Sequence, residues 1–229
     1  MDLLIDDAGM DKNYRKILAQ INAYKNGVTV DLMKDRGIKY KRNWGDSIVS
    51  LLMIAKQYEK NHLLALKLWN KGWRETMILA TMLDIPDELT EQQMDYWTRS
   101  FETGEMAEQA VSNLFVYSKF AFVKSLEYCC GKKPYVRYTG LLLLGRLAMV
   151  DKNAIDDMFI PCFKVIGSLS KDASLGDAFY RLILRLAHRS ERLRLECITF
   201  LEGVQKFEEE FSKKLATSLL EELKDPEFE

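Results

Sequence analysis

Apolar side chains recur along this chain with a helical period almost throughout. They follow each other at spacings of three and four positions, whereas the alternation typical of half-buried strands is almost absent. The pattern predicts an all-α protein. The predicted helices span residues 11–25, 29–36, 47–58, 61–69, 73–83, 90–100, 103–116, 119–130, 134–150, 153–168, 174–189, 191–205 and 208–223.

Several predicted helix starts carry the residues that such positions favour. Asn61 is placed to cap one helix, Thr90 followed by Gln93 has the spacing of a capping box, and Pro134 stands in a first helical turn. These side chains accept hydrogen bonds from backbone donors that have no partner within the helix, or remove such a donor. They therefore support the helical interpretation.

The helices from residue 90 onward form pairs, over residues 90–116, 119–150, 153–189 and 191–223. Each pair is close to the roughly 30 to 45 residues of a helical repeat. Short connections make neighbouring helices antiparallel, and stacked pairs bury a shared core. We expect an α-α superhelix that forms one domain over residues 1–229, with an N-terminal helical cap over 1–30 and an acidic C-terminal helix and tail over 206–229.

Composition favours a globular protein of the cytoplasm. The chain has 229 residues, of which 48% are hydrophobic, and only 4 Pro and 12 Gly, without a linker-like stretch. Residues 1–9 contain three aspartates and no basic residue, unlike a leader peptide. The longest apolar run, at Leu141 to Leu144, is far shorter than the roughly 20 residues of a membrane span. We expect no membrane partner.

The cysteines have no metal-binding spacing. Cys129, Cys130, Cys162 and Cys197 lie within apolar helical pattern, without a CxxC motif, which is typical of buried free thiols. The two histidines, at positions 62 and 188, add few further ligands. The sequence therefore predicts neither a metal site nor a cofactor.

A group of short motifs in the first half of the chain resembles a known family. Leu68-Trp69 is followed by Trp73-Arg74-Glu75 and Ala80, and is preceded by Tyr40-Lys41-Arg42-Asn43-Trp44-Gly45. Together they resemble the DNA alkylation repair glycosylases, and the similarity runs from about residue 30 to residue 205. The resemblance implies HEAT-like helical repeats and excision of cationic alkylated purines, such as 3-methyladenine and 7-methylguanine, from DNA. Packing alone also explains the two tryptophans, and Arg74 with Glu75 could instead fix helix positions.

The catalytic set that the resemblance implies is incomplete here. That family uses two tryptophans, an aspartate and an arginine; the matching positions hold Gly104, Leu182, Glu108 and Arg137. Glu108 could stabilise an oxocarbenium-like state, and Arg137 could hold a phosphate. Gly104 and Leu182 cannot attract a cationic base as an aromatic face does, which leaves a weak glycosylase or other aromatics in that role. The candidate aromatics are Trp44, Trp97, Tyr135 and Tyr138.

Charge is distributed unevenly along the chain. The formal net charge is −1, but residues 202–229 hold nine acidic and four basic side chains, so the remainder is mildly basic. Basic residues concentrate in 34–42, 119–146 and 181–194, and Arg181, Arg185 and Arg189 recur at four-residue steps on one helical face. The candidate DNA contacts are Lys39, Lys41, Arg42, Lys132, Lys133, Arg181, Arg185 and Arg189.

Three functions remain compatible with the sequence. The first is a DNA-binding protein of the alkylation repair family, which could act as an N-glycosylase with Glu108 and Arg137 as its catalytic residues. The second is a helical-repeat protein that binds the phosphate backbone of double-stranded DNA without catalysis. The third is a protein-interaction scaffold, in which the basic stretches are solvated faces neutralised by local acids.

Overall fold

The computed structural model describes residues 8–228, and these residues form helices without any strand. The prediction of an all-α protein is confirmed. The α-helices are α1 (Ala8–Ala23), α2 (Gly27–Asp35), α3 (Ile48–Ala55), α4 (His62–Lys71), α5 (Arg74–Leu83), α6 (Glu91–Arg99), α7 (Gly104–Asn113), α8 (Ala121–Cys129), α9 (Pro134–Val150), α10 (Cys162–Ile166), α11 (Gly176–Ala187), α12 (Glu191–Val204) and α13 (Glu210–Leu223). Short 3₁₀ turns cover Phe115–Tyr117, Asp156–Met158, Gly167–Lys171 and Ala173–Leu175.

The predicted helix over residues 153–168 is wrong in its continuity. A 3₁₀ turn at Asp156–Met158 is followed by α10, which has only five residues and begins directly after Pro161. Proline has no backbone N–H and its ring collides with the preceding turn, so a helix cannot run through this position undisturbed. The apolar period continued across a break that the proline imposes.

The predicted helix caps are confirmed, because the predicted side chains accept hydrogen bonds from backbone amides of the first helical turns. The Asn61 side chain accepts a hydrogen bond from the Leu64 amide at 2.8 Å, and that of Thr90 accepts one from the Gln93 amide at 3.1 Å. Pro134 occupies the first turn of α9. The capping box is only half formed, because the Gln93 side chain donates to Asp84 Oδ2 at 2.6 Å instead of returning to residue 90.

The backbone divides into two compact units, with the boundary between Lys119 and Phe120. In the N-terminal unit, α4 and α5 form an antiparallel pair, since the Asn61 amide before α4 donates to the Leu83 carbonyl at the end of α5, at 2.8 Å. Stacked Trp69 and Trp97 rings, with centroids 3.9 Å apart, lie in its core. Both tryptophans are therefore core residues. For Trp69 this agrees with the packing explanation given from the sequence.

The C-terminal unit also consists of packed helix pairs. An added Cβ on Gly140 of α9 would lie 2.6 Å from the Cys129 backbone nitrogen, so glycine permits the close approach of α8 and α9. The α9 and α11 helices run side by side in the same direction, since Arg137 pairs with Asp172 before α11 while Gly145 meets Arg185 further along. The expectation of a single domain over residues 1–229 stays a prediction, and residues 1–7 and 229 lie outside the described part.

Among the described residues, no helix combines the length and apolarity that crossing a membrane requires. No cluster of His, Cys, Asp or Glu suited to a metal ion is found within residues 8–228. Cys129, Cys162 and Cys197 are buried, and burial raises the pKa of all three thiols, that of Cys162 to about 12. The expectation of a buried thiol is wrong for Cys130, which is exposed at the end of α8.

The stacked tryptophans provide a test of the core. We expect Trp97→Ala to lower the free energy of unfolding by about 3–5 kcal/mol, because a side chain that is 1% exposed leaves a cavity when truncated. Its neighbour Tyr96, which is 66% exposed, is the matched control, and Tyr96→Ala should change stability by less than about 0.5 kcal/mol. Urea unfolding followed by circular dichroism measures both values, and similar losses in the two variants would contradict the packing described.

Candidate functional site

The basic segment, residues 36–47 between α2 and α3, carries exposed cations. A buried network of hydrogen bonds and ion pairs, here called the anchor, holds it in place. Lys39, Lys41 and Arg42 are exposed, whereas the Tyr40 side chain between them is directed inward. The Tyr40 hydroxyl donates to Glu105 Oε2 at 2.7 Å and lies 2.6 Å from Thr103 Oγ1. These contacts hold the backbone of the basic segment against the start of α7.

Arg74 is the centre of this anchor and is only 3% exposed. Its guanidinium forms a bidentate pair with Glu105, with Nε to Oε2 at 2.8 Å and Nη2 to Oε1 at 2.5 Å. Nη1 donates to the Asp46 carbonyl at 2.8 Å and to Glu75 Oε1 at 3.1 Å. Because a buried cation is stable only when its donors and its charge are matched, Arg74 ties α5, α7 and the basic segment together.

The far end of the basic segment is bound to the same network. Glu75 Oε1 accepts hydrogen bonds from the Trp44 and Gly45 amides, each at 3.1 Å. Gly45 has φ +78°, and an added Cβ there would lie 2.1 Å from the Asn26 carbonyl oxygen. Only glycine therefore fits this turn.

The network contains more acid than base. Burial opposes ionisation of Glu105, but the hydrogen bonds and charge of Arg74 prevail and lower its pKa. Burial, with the nearby charge of Glu75, raises the pKa of Asp46 to about 6 despite the opposing effect of Arg74. Asp46 is 1% exposed, and within the described residues neither of its carboxylate oxygens has a hydrogen-bond partner. Asp46 is thus the least compensated charge of the anchor.

Two half-buried tryptophans lie beside the basic segment. The rings of Trp44 and Trp73 meet edge to face, with centroids 5.4 Å apart. The Arg42 guanidinium lies 5.4 Å from the Trp73 centroid, and the Lys71 ammonium lies 5.2 Å from it. Aromatic faces and cations are therefore adjacent at this surface. Packing against Trp44 explains equally well why position 73 holds a tryptophan.

The three arginines at four-residue steps have different environments. Arg181 is exposed and pairs with Asp177 at 3.1 Å, and Arg185 is half-buried against Gly145. Arg189 donates to the carbonyls of Ala148 and Asp151, each at 2.8 Å, and to that of Ala154. Its guanidinium thus caps the end of α9, and a DNA contact by Arg189 would have to break these bonds.

Lys132 and Lys133 lie exposed in the turn between α8 and α9. Arg137, one turn into α9, donates to Asp172 Oδ2 at 3.0 Å. Asp172 also accepts from the Ser174 amide at 3.1 Å. Arg137 therefore contributes to the fold near the start of α11, and a phosphate would have to compete with Asp172 for it.

The positions that the family resemblance singled out differ in exposure. Leu182 is buried at 1% exposure, and Gly104 is half-buried at the first position of α7. Glu108 is half-buried on the same helix. Among the replacement aromatics, Trp97 belongs to the core, whereas Tyr135 is exposed and meets Tyr138 edge to face at 6.4 Å.

Sequence reasoning did not identify Tyr40, Asp46 and Glu105 as site residues. The resemblance directed attention to Glu108, three positions after Glu105, although it is Glu105, half-buried on the same helix, that forms the bidentate pair with Arg74. The sequence does indicate a helix start here, since Thr103 caps α7 and Glu105 is an acid in its first turn, where a negative charge is stabilising. Nothing in the sequence, however, connects these two residues with Tyr40.

Comparison with known proteins identifies the fold. No family model matches the chain, and no curated protein matches it. A solved structure of a protein from a new family related to the HEAT-like repeat DNA glycosylases, with affinity for branched DNA structures, superposes with a TM-score of 0.70 at 16% sequence identity. The match covers 90% of this chain and 93% of that chain. The chain therefore has the HEAT-like helical-repeat fold, as the resemblance implied.

The uncompensated charge of Asp46 predicts a dependence of stability on pH. Its pKa is about 6 in the folded chain and near 3.9 when unfolded, so the folded state binds the proton more tightly. Wild-type stability should therefore fall by about 2 kcal/mol through this group as pH rises from about 4 to about 6. Asp46→Asn removes that loss and should be the more stable protein at pH 7.5.

Urea unfolding at pH 4.5 and pH 7.5 measures the difference between wild type and Asp46→Asn. The difference cancels the contributions of titrating acids that are distant from Asp46, because those contributions are common to both proteins. Asp87→Asn, at an exposed position, is the control for the loss of one carboxylate. A stability difference between wild type and Asp46→Asn that is the same at both pH values would contradict the raised pKa.

Proposed function

We propose that this protein binds branched DNA through the phosphate backbone and does not excise bases. The observation that carries the proposal is the exposed basic segment at Lys39, Lys41 and Arg42, held in place by a buried ion-pair network. Cations on a fixed backbone lose less conformational entropy when they meet an anion than cations on a mobile loop. This arrangement suits a ligand with a rigid array of phosphates.

The tryptophans next to this segment fit the same ligand class. Arg42 lies near the faces of both Trp44 and Trp73, so its guanidinium is oriented before any ligand arrives. Arginine held in this way keeps several donors in one plane and matches phosphate oxygens in pairs. Half-buried indole rings also offer faces on which a base at a branch point could stack.

The C-terminal unit offers a second set of exposed cations. Lys132 and Lys133 lie in the turn before α9, and Arg181 lies on the exposed side of α11. Arg181 pairs with Asp177, whose side chain is 89% exposed, and an ion pair of this exposure is weak enough to be exchanged for a phosphate. Arg189 is not among the proposed contacts, because the carbonyls of Ala148 and Asp151, at the end of α9 and just after it, accept its hydrogen bonds.

Selectivity in this proposal comes from the shape of the DNA rather than from its base sequence. Phosphate oxygens are alike at every base pair, so backbone contacts position a protein without reading sequence. The structural neighbour has affinity for branched DNA, and the same class of ligand is proposed for this chain. Alkylated purines need not be present in such a substrate.

The positions matched to the glycosylase residues support binding without excision. Leu182 is buried, Gly104 has no side chain, and Arg137 is paired with Asp172. Only Glu108 remains as a partly exposed carboxylate. With Gly104 and Leu182 at the positions of the two tryptophans, the matched set offers no aromatic face to hold a cationic base.

Affinity as a function of salt concentration tests the proposal directly. We expect fluorescence anisotropy with a four-way junction to give a linear fall of log K against log of salt concentration, with a slope of about −0.9 for each phosphate neutralised. A linear duplex of the same sequence should bind more weakly at every salt concentration. A flat salt response, or equal affinity for duplex and junction, would contradict the proposal.

Single substitutions of exposed cations should reduce that slope. Lys41→Ala and Arg181→Ala should each weaken junction binding and reduce the magnitude of the slope by about 1, because each removes one phosphate contact. Lys164→Ala is the control. Lys164 is exposed on α10, which packs against α8, and it is not among the proposed DNA contacts. An equal loss for Lys164→Ala would mean that net charge alone determines the affinity.

Base release is the separate test of catalysis. We expect no release of 3-methyladenine or 7-methylguanine above background from methylated DNA, even with protein in excess. High-performance liquid chromatography of the released bases provides the measurement. Release that disappears in Glu108→Gln would contradict the absence of excision, although it would leave DNA binding intact.

A further inference from the structure

A cavity of about 610 Å³ lies where α9 and α11 end. Its lining contains no residue of the basic segment and none of the positions matched to glycosylase residues. Its lining includes Met149, Lys152, Asp156, Arg185, His188 and Arg189.

The charge of this cavity is positive. Asp156 is engaged, because its carboxylate accepts a hydrogen bond from Ser190 Oγ at 2.7 Å and lies 3.7 Å from Arg189 Nε. Arg189 contributes charge, but its Nη1 and Nη2 groups are bound to backbone carbonyls. Lys152 and Arg185 supply further positive charge to the same wall. An anionic group of the size of a phosphate is therefore the ligand that this cavity favours.

A flat ring already stacks on His188, one of the residues that line the cavity. The Phe228 ring lies parallel to the His188 imidazole, with centroids 4.3 Å apart and an angle of 15° between the planes. The Arg194 guanidinium lies 5.8 Å from the Phe228 centroid on another side. The imidazole face of His188 is thus shaped and placed to receive a planar ring.

The segment that carries Phe228 is a tight turn with acidic residues. The Asp225 side chain accepts a hydrogen bond from the Glu227 amide at 2.8 Å, and its carbonyl accepts one from the Phe228 amide at 3.1 Å. The turn therefore carries carboxylates close in sequence to an aromatic ring that stacks on His188, a residue of the cavity lining. A nucleotide combines the same two features, a flat ring and an anion.

We propose that His188 and the cavity beside it bind one unpaired nucleotide at a DNA branch, and that, in the absence of DNA, Phe228 covers the imidazole face on which the base would stack. The base stacks on the imidazole, and the phosphate lies near Lys152 and Arg185. The proposal rests on the proposed DNA binding and names the part of the branched substrate that this surface selects. Phe228 and the nucleotide compete for one face.

Proton NMR of the imidazoles tests the competition in the wild-type chain. The sequence has only two histidines, and His62, hydrogen-bonded to Asp84 at 2.7 Å, serves as the internal reference. The Phe228 ring should shift the His188 ring protons upfield, and Phe228→Ala should remove this shift. A duplex with one unpaired adenosine at a flap should change the His188 signals, whereas the blunt duplex should leave them unchanged.

Affinities of the variants give the second measurement. Phe228→Ala should bind the flap duplex about two- to tenfold more tightly than wild type, because the competing stack is lost, and should bind the blunt duplex equally. His188→Ala should bind the flap duplex about tenfold more weakly, because the stacking face is lost. Phe228→Tyr retains a flat ring and should behave as wild type.

Two controls separate a stacked nucleotide of DNA from a charge effect of the tail and from a site for free nucleotides. Glu227→Gln removes a charge from the same turn; if it reproduces the effect of Phe228→Ala on both duplexes, the tail acts only through charge and the proposal is wrong. Free deoxyadenosine monophosphate should shift the His188 signals only at much higher concentration than the flap duplex. An equal response to both at the same concentration would mean a site for free nucleotides and would overturn the assignment to DNA.

Failure of the site and failure of DNA binding give different results. If wild type binds neither duplex at low salt, the proposed function is wrong. If wild type binds both with a salt-dependent affinity, while His188→Ala and Phe228→Ala bind the flap duplex as wild type does, DNA binding stands and the nucleotide site is wrong. Equal melting temperatures of the variants, measured by circular dichroism, exclude unfolding as the cause of any loss.

Discussion

Neutralisation of buried arginine is the constraint on which the proposed surfaces depend. Arg74 can be buried only because Glu105 and Glu75 match its charge and the Asp46 carbonyl accepts from it, and these partners fix both ends of the basic segment. Arg189 plays a comparable part in the C-terminal unit, where it donates to the carbonyls of Ala148 and Asp151 at the end of α9 and just after it. Arginines of this kind hold the fold. The lysines and arginines around them, exposed by the same packing, are the ones that can meet an anionic ligand.

The helices could be predicted from the sequence because burial of one helix face requires apolar side chains at spacings of three and four residues, and this spacing is visible within each segment. Pro161 interrupts such a period without erasing it, so the break at α10 was missed although the proline was visible. Caps were predictable for the same local reason. The reciprocal half of the capping box at Thr90 was not, because Gln93 found a partner in Asp84, outside its own helix.

The site was harder to predict, because its residues meet only through tertiary structure. Arg181 and Arg189 are indistinguishable by periodicity, but only Arg189 reaches the end of α9. Glu105 and Glu108 are one helical turn apart, and the partner that distinguishes them, Tyr40, lies 65 positions earlier in the chain. Spacing within a helix defines a face; what covers that face depends on elements distant in sequence. The resemblance supplied the fold correctly and could not supply the environment of each charge.

Protection of lysines from acetylation by bound DNA is the most direct measure of whether the exposed cations face the ligand. Mass spectrometry of the chain, modified with and without a four-way junction at low salt, reports every reactive lysine in one experiment. Lys39, Lys41, Lys132 and Lys133 should be protected, while Lys12 and Lys164, exposed on α1 and α10, should stay reactive. Unchanged reactivity of the first four, or equal protection of all six, would contradict binding through these surfaces.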